Sequence, residues 1–471
     1  MRHLIWTLLL ALSAVSCDGF LDLTPKGATT LDNLDDLEYL LNGTYGNTSH
    51  AFYGNLCVLT NESYGKRTTP WTIIAGKSGL DYILMAYDEE IDRLAYTNSD
   101  GHYDAFYSHI VYMNVLLDKL GNIPGEADRK ERLAAEAKVM RAYWHYLLVN
   151  IFAKQYDEAT AAENGGIPYV EKMNLESENP KLTLQEVYEH LLADCSEETI
   201  KALPDEAVNI VRPGKAMGYA LLAKIYLQMK KYDEALKYVN EALKYNDHID
   251  NRLPVMSEFL YNREKDDASV IFFSGENLTD PFGCIVSQET ARLFEEGDIL
   301  MNYGRYTLQE GTEDSELWNI KACEQYKTGI EGEIYMWQGR NSTLPVAGIT
   351  SDQLYYIKGE CLIRGGHYQE GLDEVNKVRK YRIDPAVYQD LSASTEREAM
   401  EKLMKAKRIE CLFTYNTFFD MKRWNTEEAY KQTITRTIGD KTYTLRPDSP
   451  LWVFPFPGNA VKYNSTLTQN Y

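Results

Sequence analysis

The sequence predicts a mainly α-helical protein built from paired helices and interrupted by one long irregular segment. Two stretches support the helices: residues 216–246 and 352–379 each carry apolar side chains at helical spacing in two runs joined by a short polar turn. A third stretch supports the interruption, because residues 251–350 lose the helical period and mix short apolar runs with Gly, Asn and Pro. That segment is too long for a simple connection, and we interpret it as a binding region.

The helix pair at 216–246 resembles a tetratricopeptide repeat. Its small residues would let two helix backbones approach closely, and they follow one another at spacings of 12, 4 and 3: Ala223, Ala235, Val239 and Ala242. The run 352–379 repeats these spacings with Gly359, Gly371, Val375 and Val378. Each glycine costs a helix about 1 kcal/mol. The sequence therefore predicts a tetratricopeptide-like helical-repeat scaffold with pairs at about 129–202, 214–246 and 352–379.

Other helices are expected on either side of these pairs. Amphipathic or apolar periodicity predicts helices at 33–45, 104–120, 129–152, 184–202 and 396–424. Residues 47–99 predict loops with short helices, because Gly, Thr, Asn and aromatic residues are mixed there without a period. Together, residues 33–471 predict a single domain.

The first residues predict export. A basic start at 1–3 and an apolar run at 4–15 precede Cys17. That run is shorter than the roughly 20 residues that a membrane-spanning helix needs, so residues 1–16 predict a secretory signal peptide. The ending Ala-Val-Ser-Cys at 14–17 resembles a bacterial lipobox, which implies acylation of Cys17 and a lipidated tether over 17–32. An ordinary signal peptide with an incidental Cys17 is the alternative.

Charge and cysteine spacing exclude several functions. A net charge of −21 disfavours nucleic acid and basic-patch membrane adhesion, because phosphate groups attract Lys and Arg. The six cysteines beyond Cys17 form no CxxC pair and no zinc spacing. Buried thiols are expected, and disulfides are the alternative for an exported protein. Those six are Cys57, Cys195, Cys284, Cys323, Cys361 and Cys411. We predict no metal and no cofactor.

Enzyme motifs are incomplete where they can be tested. Gly-Lys-Ser at 76–78 has Trp71 where a phosphate loop needs glycine, and Tyr96 and Tyr107 stand where a calcium loop at 98–101 would need its first and last ligands. HExxH and GxSxG are missing from the sequence. We therefore predict no enzyme, although 70 acidic residues leave a glycosidase carboxylate pair open as an alternative.

Both ends of the chain resemble one known family. Phe-Leu-Asp at 20–22 follows Cys17, and the run 408–424 begins Arg-Ile-Glu and ends Phe-Phe-Asp-Met-Lys-Arg-Trp. The tail adds a Pro-Phe-Pro element at 455–457 and the ending Leu-Thr-Gln-Asn at 467–470. This combination resembles the SusD/RagB family of outer-membrane nutrient-binding lipoproteins of Bacteroidetes, with Cys411 in place of the leucine of the family pattern.

The resemblance implies a function and a partner. It implies a lipid-anchored outer-membrane protein facing the cell exterior, which captures an oligosaccharide and passes it to a SusC-like TonB-dependent barrel without chemical turnover. Three alternatives stay open: a peptide-capturing RagB-like lipoprotein, an envelope scaffold with no small-molecule ligand, and a hydrolase.

Sugar rings stack on flat aromatic side chains, and their hydroxyl groups bond to amide, carboxylate and guanidinium groups. By resemblance, the site lies in the loops after the first helices and in the irregular segment before the last repeat. The candidate ligand-binding residues are Asn61, Glu62, Tyr64, Arg67, Trp71, Tyr82, Tyr303, Trp318 and Trp337. For each of them the alternative is a role in the small core of its own loop. Glu410, Arg423 and Trp424 carry the late signature, and we expect them to anchor helices.

Overall fold

A computed structural model describes residues 31–43, 50–64, 69–172, 179–251, 253, 268–274, 276–277, 285–298, 328–335, 343–344 and 347–471. The helices in this part of the chain are α1 Leu34–Gly43, α2 His50–Leu59, α3 Thr69–Gly76, α4 Leu80–Ala86, α5 Gly101–Leu120, α6 Ala127–Phe152, α7 Leu184–Asp194, α8 Glu197–Lys201, α9 Lys215–Gln228, α10 Tyr232–Tyr245, α11 Gln288–Ala291, α12 Ser351–Arg364, α13 Tyr368–Arg379, α14 Glu396–Glu410, α15 Tyr415–Trp424 and α16 Gly458–Tyr463. The strands are β1 Gly165–Pro168, β2 Lys181–Thr183, β3 Val270–Phe272, β4 Glu276–Asn277, β5 Ile285–Val286, β6 Ile334–Tyr335, β7 Thr343–Leu344, β8 Ile349–Thr350, β9 Ile434–Ile438 and β10 Lys441–Leu445.

Helix α6 forms the centre of the core. Its C-terminal half, Arg-Ala-Tyr-Trp-His-Tyr-Leu-Leu-Val-Asn-Ile-Phe, is mostly apolar and is buried on every face. Helices α5 and α7 pack against it. The Trp144 ring stacks with Phe106 and with His109 of α5, at centroid distances of 5.2 and 4.5 Å. The tail of the chain covers the end of α6, where the Asn470 side chain donates to the Phe152 carbonyl oxygen.

The predicted repeat scaffold is confirmed. Helices α9 and α10 form one antiparallel pair, α12 and α13 form a second, and α10 packs against α12 so that the pairs stack side by side. Helix α14 covers the second pair. The turns correspond as well: Lys230 and Gly366 occupy the same place and both adopt positive φ, 58° and 87°. The fold class is therefore mainly α-helical and tetratricopeptide-like, with helix pairs at the two strongest predicted places.

The two glycines of the second pair have a packing reason. A Cβ atom on Gly359 would lie 2.7 Å from the Gly371 carbonyl oxygen, and a Cβ atom on Gly371 would lie 2.5 Å from the Gly359 carbonyl oxygen. The backbones of α12 and α13 thus touch where the first pair carries Ala223 and Ala235. The propensity cost of each glycine is offset by this closer approach.

Two predicted helices are each broken in the structure. The helix expected at 396–424 is wrong as one element: α14 ends at Glu410, and α15 begins at Tyr415 after Phe413 turns the chain with φ of 61°. The helix expected at 184–202 is also divided. The Ser196 side chain accepts the Thr199 N–H and starts α8, which ends the continuity of α7. In both cases a side-chain contact, not the apolar period, sets the boundary.

The irregular segment contributes short ladders to the helical frame. Among the described residues, β3 pairs with β8, β4 with β7 and β5 with β6, all antiparallel. The excursion between α6 and α7 forms the ladder β1–β2, and the chain near its end forms the hairpin β9–β10. That hairpin was not predicted, and it lies at the candidate site.

One further expectation concerns the burial of the cysteine thiols. The thiols of Cys195, Cys361 and Cys411 are free and buried, as expected, and Cys57 is buried too. Cys284 and Cys323 lie outside the described residues. In the part of the chain that is described, no helix combines the length and the apolar character needed to cross a membrane.

Candidate functional site

Trp71 lies on the first turn of α3, and the residue is 43% exposed. The other tryptophans within the described residues, Trp144, Trp424 and Trp452, are buried. A large exposed aromatic ring on a short helix next to irregular structure is the kind of feature that marks a binding surface. Trp71 is the sequence-predicted candidate that the structure leaves most open to solvent.

Two backbone segments hold the Trp71 ring. The indole N–H donates to the carbonyl oxygen of Thr328 at 3.4 Å. Gly439, in the turn between β9 and β10, lies directly against the ring: a Cβ atom at this glycine would come within 3.1 Å of the indole. The indole N–H is thus used internally, while 43% of the surface of the Trp71 residue stays open to solvent. We call this ring, with the Gly439 turn and the Thr328 carbonyl group beside it, the Trp71 surface.

A small core of its own supports the Trp71 surface. Its buried side chains come from five separate places in the chain: Tyr64, Met85, Ile285, Ile330 and Ile438. Ile73 and Ile74 of α3 pack on this cluster from the side of Trp71. The Trp71 surface therefore rests on α3, α4, the irregular segment and the β9–β10 hairpin together.

Tyr82 of α4 is half-buried beside the same hairpin. Partial burial raises the pKa of its hydroxyl group, and the nearby Asp88 carboxylate and Tyr443 add to the rise while Lys441 opposes it. The ring thus lies near β10 with part of its surface in solvent. Among the candidates that the structure describes, Tyr82 and Trp71 are the two that a ligand could reach directly.

Two candidates, Asn61 and Tyr64, lie inside the fold beneath the Trp71 surface. The Asn61 amide donates to the Glu289 carboxylate at 3.1 Å and to the Thr435 carbonyl oxygen at 2.9 Å. The Tyr64 hydroxyl donates to Glu289 at 3.4 Å and accepts the Gln288 N–H. Burial raises the pKa of Tyr64 well above its usual range. These side chains are committed to internal hydrogen bonds and support the Trp71 surface from beneath.

Glu62 is buried in a different direction, towards the helix break at Phe413. Its carboxylate accepts the Phe413 N–H at 3.1 Å and the Thr60 hydroxyl at 3.1 Å. Burial raises the pKa of Glu62 to about 7, although the nearby Arg408 guanidinium acts to lower it. The Glu62 carboxylate therefore links the loop after α2 to the joint between α14 and α15.

Several candidates lie outside the described residues. These are Arg67, Tyr303, Trp318 and Trp337, together with the lipidation candidate Cys17. They stay predictions. Within the described residues, no group of three or more His, Cys, Asp or Glu side chains could hold a metal ion.

Sequence reasoning missed the hairpin residues that build the site. Arg436 on β9 is fully buried and donates four hydrogen bonds, to the Asn61 side chain and to the carbonyl oxygens of Val58, Leu84 and Met85. A local signal was present, because Gly-Asp at 439–440 stands between the alternating runs 434–438 and 441–445, and a two-residue turn of this kind favours a β-hairpin.

The late signature has the structural role that was expected, in two separate groups of ion pairs. Glu410 accepts from Arg382 at 2.8 Å, whereas Arg423 donates to Glu360 and Asp420. The Trp424 indole also donates to Glu360, at 3.0 Å. All of these contacts lie within the helical frame, away from the exposed ring of Trp71.

These features define a tetratricopeptide-like helical protein that carries an exposed aromatic surface on a short helix beside irregular structure. Two family models match the chain: one described as "Starch-binding associating with outer membrane" over residues 19–227, and one described as the SusD family over residues 336–471. Together they span more than half of the chain. The chain belongs to the SusD/RagB family.

Solved structures share the fold at low sequence identity. The surface glycan-binding protein A from Bacteroides uniformis aligns with a TM-score of 0.68 and 16% identity, over 93% of this chain and 99% of its own. A SusD superfamily protein from Bacteroides vulgatus has a TM-score of 0.68 and 16% identity, covering 93% and 98%. Another from Bacteroides thetaiotaomicron has a TM-score of 0.66 and 17% identity, covering 93% and 100%. None of the curated proteins matches this chain in sequence.

Proposed function

We propose that this protein captures an oligosaccharide at the Trp71 surface, without chemical turnover. The observation that carries the proposal is the exposed Trp71 ring. Its position is held by the contact with Gly439 and by the hydrogen bond from its indole N–H to the Thr328 carbonyl oxygen. An aromatic face whose own N–H is already bonded can stack against the C–H face of a sugar ring, and burying that area contributes to affinity. Membership in a family described as starch-binding supports the same ligand class.

The lipid anchor and the partner are part of the proposal. Cys17 follows a signal-like segment and would carry the acyl chains that hold the protein at the outer membrane. A SusC-like TonB-dependent barrel would receive the oligosaccharide, and the helical-repeat scaffold offers surfaces of the kind that bind other proteins. Replacing Cys17 by alanine should move the protein from the membrane fraction to the soluble fraction, and retention in the membrane would contradict lipid anchoring.

Calorimetry against a panel of oligosaccharides and peptides tests the ligand. Saturable heat with a neutral or charged oligosaccharide, followed by recovery of the intact sugar, is the expected result. Heat with peptides alone would mean that the ligand is a peptide and not an oligosaccharide. Cleaved sugar would mean that the protein hydrolyses its ligand. A chain that binds neither class, alone or mixed with its co-expressed barrel, would contradict the proposal in favour of an envelope scaffold.

A further inference from the structure

We propose that Arg436 is the positioning residue of the Trp71 surface. Its expected effect on oligosaccharide affinity rests on the proposed function, whereas its expected effect on the orientation of Trp71 does not. Arg436 lies in the middle of β9, two residues before the end of the strand whose turn touches Trp71. Its side chain is fully buried. A buried cation at this place needs an explanation, because an uncompensated charge in the interior is costly.

The charge of Arg436 is balanced by helix ends. One nitrogen donates to the carbonyl oxygens of Leu84 and Met85, at 3.1 and 2.8 Å, in the last turn of α4. Another donates to the carbonyl oxygen of Val58 in the last turn of α2. Carbonyl groups at a helix C-terminus lack partners within the helix and carry partial negative charge. Among the described residues, no carboxylate lies within ion-pair distance of this guanidinium, so the two helix ends take that role.

The residues that end these helices also contact Arg436. Tyr87 caps α4 in the left-handed conformation, and the guanidinium lies 4.7 Å from the centre of its ring. Asn61, with φ of 59°, accepts from the Arg436 Nε at 2.9 Å. The Asn61 amide donates in turn to the Glu289 carboxylate, which also accepts the Thr437 N–H at 3.0 Å. Arg436 and its neighbours thus form a closed set of bonds between two helix ends, α11 and the hairpin.

This set of bonds fixes the position of the elements that contact α3 and the Trp71 ring. Helix α3, which carries Trp71, packs against α4, and the Trp71 ring lies against the Gly439 turn of the hairpin. The ring therefore keeps its orientation only while α4 and the hairpin keep their relative positions. Arg436 is the side chain that bonds the hairpin directly to the end of α4. A lysine could keep the charge, but its single ammonium group cannot reproduce the planar fork of donors.

Substitution of Arg436 by lysine tests the inference in two ways. We expect the affinity for the best oligosaccharide to fall about tenfold, the equivalent of one charge-assisted hydrogen bond. We also expect acrylamide quenching of Trp71 fluorescence, taken as the difference between each protein and its Trp71→Phe counterpart, to change about twofold. Arg212→Lys is the matched control, because Arg212 is equally buried but pairs with Glu136 and Glu38 far from this hairpin. It should lower stability without changing either readout.

A thermodynamic cycle separates positioning from general stability. If Arg436 acts through Trp71, the loss of affinity from Arg436→Lys should shrink to less than about twofold in a Trp71→Phe background. An equal loss in both backgrounds, or unchanged quenching and affinity in the single variant, would overturn the inference. If the lysine variant does not fold, Asn61→Gly keeps the left-handed backbone, removes the acceptor of Arg436 and should change the quenching in the same direction. A change in quenching in a protein that binds no ligand would uphold the positioning role while contradicting the proposed function.

Discussion

The guanidinium of Arg423 faces the carboxylate of Glu360 across the interface between α15 and α12, with two N–O distances of 2.8 Å and neither side chain exposed. Burial alone would raise the pKa of Glu360, but Arg423 holds that pKa well below its usual range. Lys407 approaches from α14 and pairs with Asp420 at 2.8 Å. The late signature of the family thus joins the second helix pair to the helices that follow it.

Removing one partner of this buried pair should be strongly destabilising. Arg423→Met leaves the Glu360 carboxylate without its bidentate donor, and we expect a loss of about 3–5 kcal/mol in the free energy of unfolding, measured with urea. Arg397→Met is the control, because Arg397 and Glu401 are 3.1 Å apart with 70% and 60% of their side chains exposed. Exposed pairs contribute about 0.2–1 kcal/mol. Equal losses in the two variants would contradict the role assigned to Arg423.

Gly371→Ala should destabilise the protein although alanine favours helices. The new methyl group would lie 2.5 Å from the Gly359 carbonyl oxygen, so α12 and α13 must separate. We expect a loss above about 1 kcal/mol, opposite in sign to the propensity gain of the same size. In the first pair, Ala235→Gly should cost about 1 kcal/mol by propensity alone. A stabilised Gly371→Ala protein would show that the contact between the two backbones is not required.

Lys230→Gly should stabilise the turn of the first helix pair. Lys230 adopts φ of 58°, a conformation that L-residues adopt at a cost and that glycine adopts freely. We expect a gain of about 0.5–1 kcal/mol in the free energy of unfolding, reduced by any packing that the lysine stem provides. The reverse change at the matching turn, Gly366→Lys, should destabilise by a similar amount. Effects of the same sign in both variants would contradict this account of the turns.

Glu62 should make stability depend on pH. Its pKa rises from an ordinary value of 4.5 to about 7 on folding, so between these values the folded protein holds a proton that the unfolded chain has released. The stability from this group is complete below about 4.5 and is lost as pH rises through about 7, by about 3 kcal/mol at most. Urea unfolding across this range should show a smaller decline for Glu62→Gln than for the wild type. Glu401→Gln, at an exposed position, should follow the wild type. Parallel curves for Glu62→Gln and the wild type would contradict the burial of an ionisable Glu62.

The helical frame was predictable because its signals are local. The apolar period and small-residue spacing of α9–α10 and α12–α13 lie within about 30 residues of sequence, and the structure forms both pairs there. The break at Phe413 was not predictable in this way, since its backbone N–H is held by Glu62, which is 351 residues away in sequence. A contact between residues so far apart produces no periodic pattern in the local sequence.

The candidate site also has one part that local sequence predicts and another that depends on long-range contacts. The exposure of Trp71 agrees with an aromatic residue in a short, irregular stretch, whereas Asn61 and Tyr64 have similar surroundings in sequence and are buried. They are buried because Arg436 and Glu289 approach from distant parts of the chain. The hairpin that brings Arg436 had a readable turn signal, but its docking on α2 and α4 depends on tertiary packing.

The central claim is that ligand binds at the Trp71 ring, and calorimetry of Trp71→Ala with the best oligosaccharide of the panel tests it most directly. The account predicts at least a tenfold loss of affinity, about 1.4 kcal/mol or more, with the melting temperature little changed. Tyr39→Ala is the matched control, because Tyr39 is an aromatic residue with 74% exposure on α1 and should bind as the wild type does. Wild-type affinity in Trp71→Ala would contradict the claim and place the ligand elsewhere on the protein.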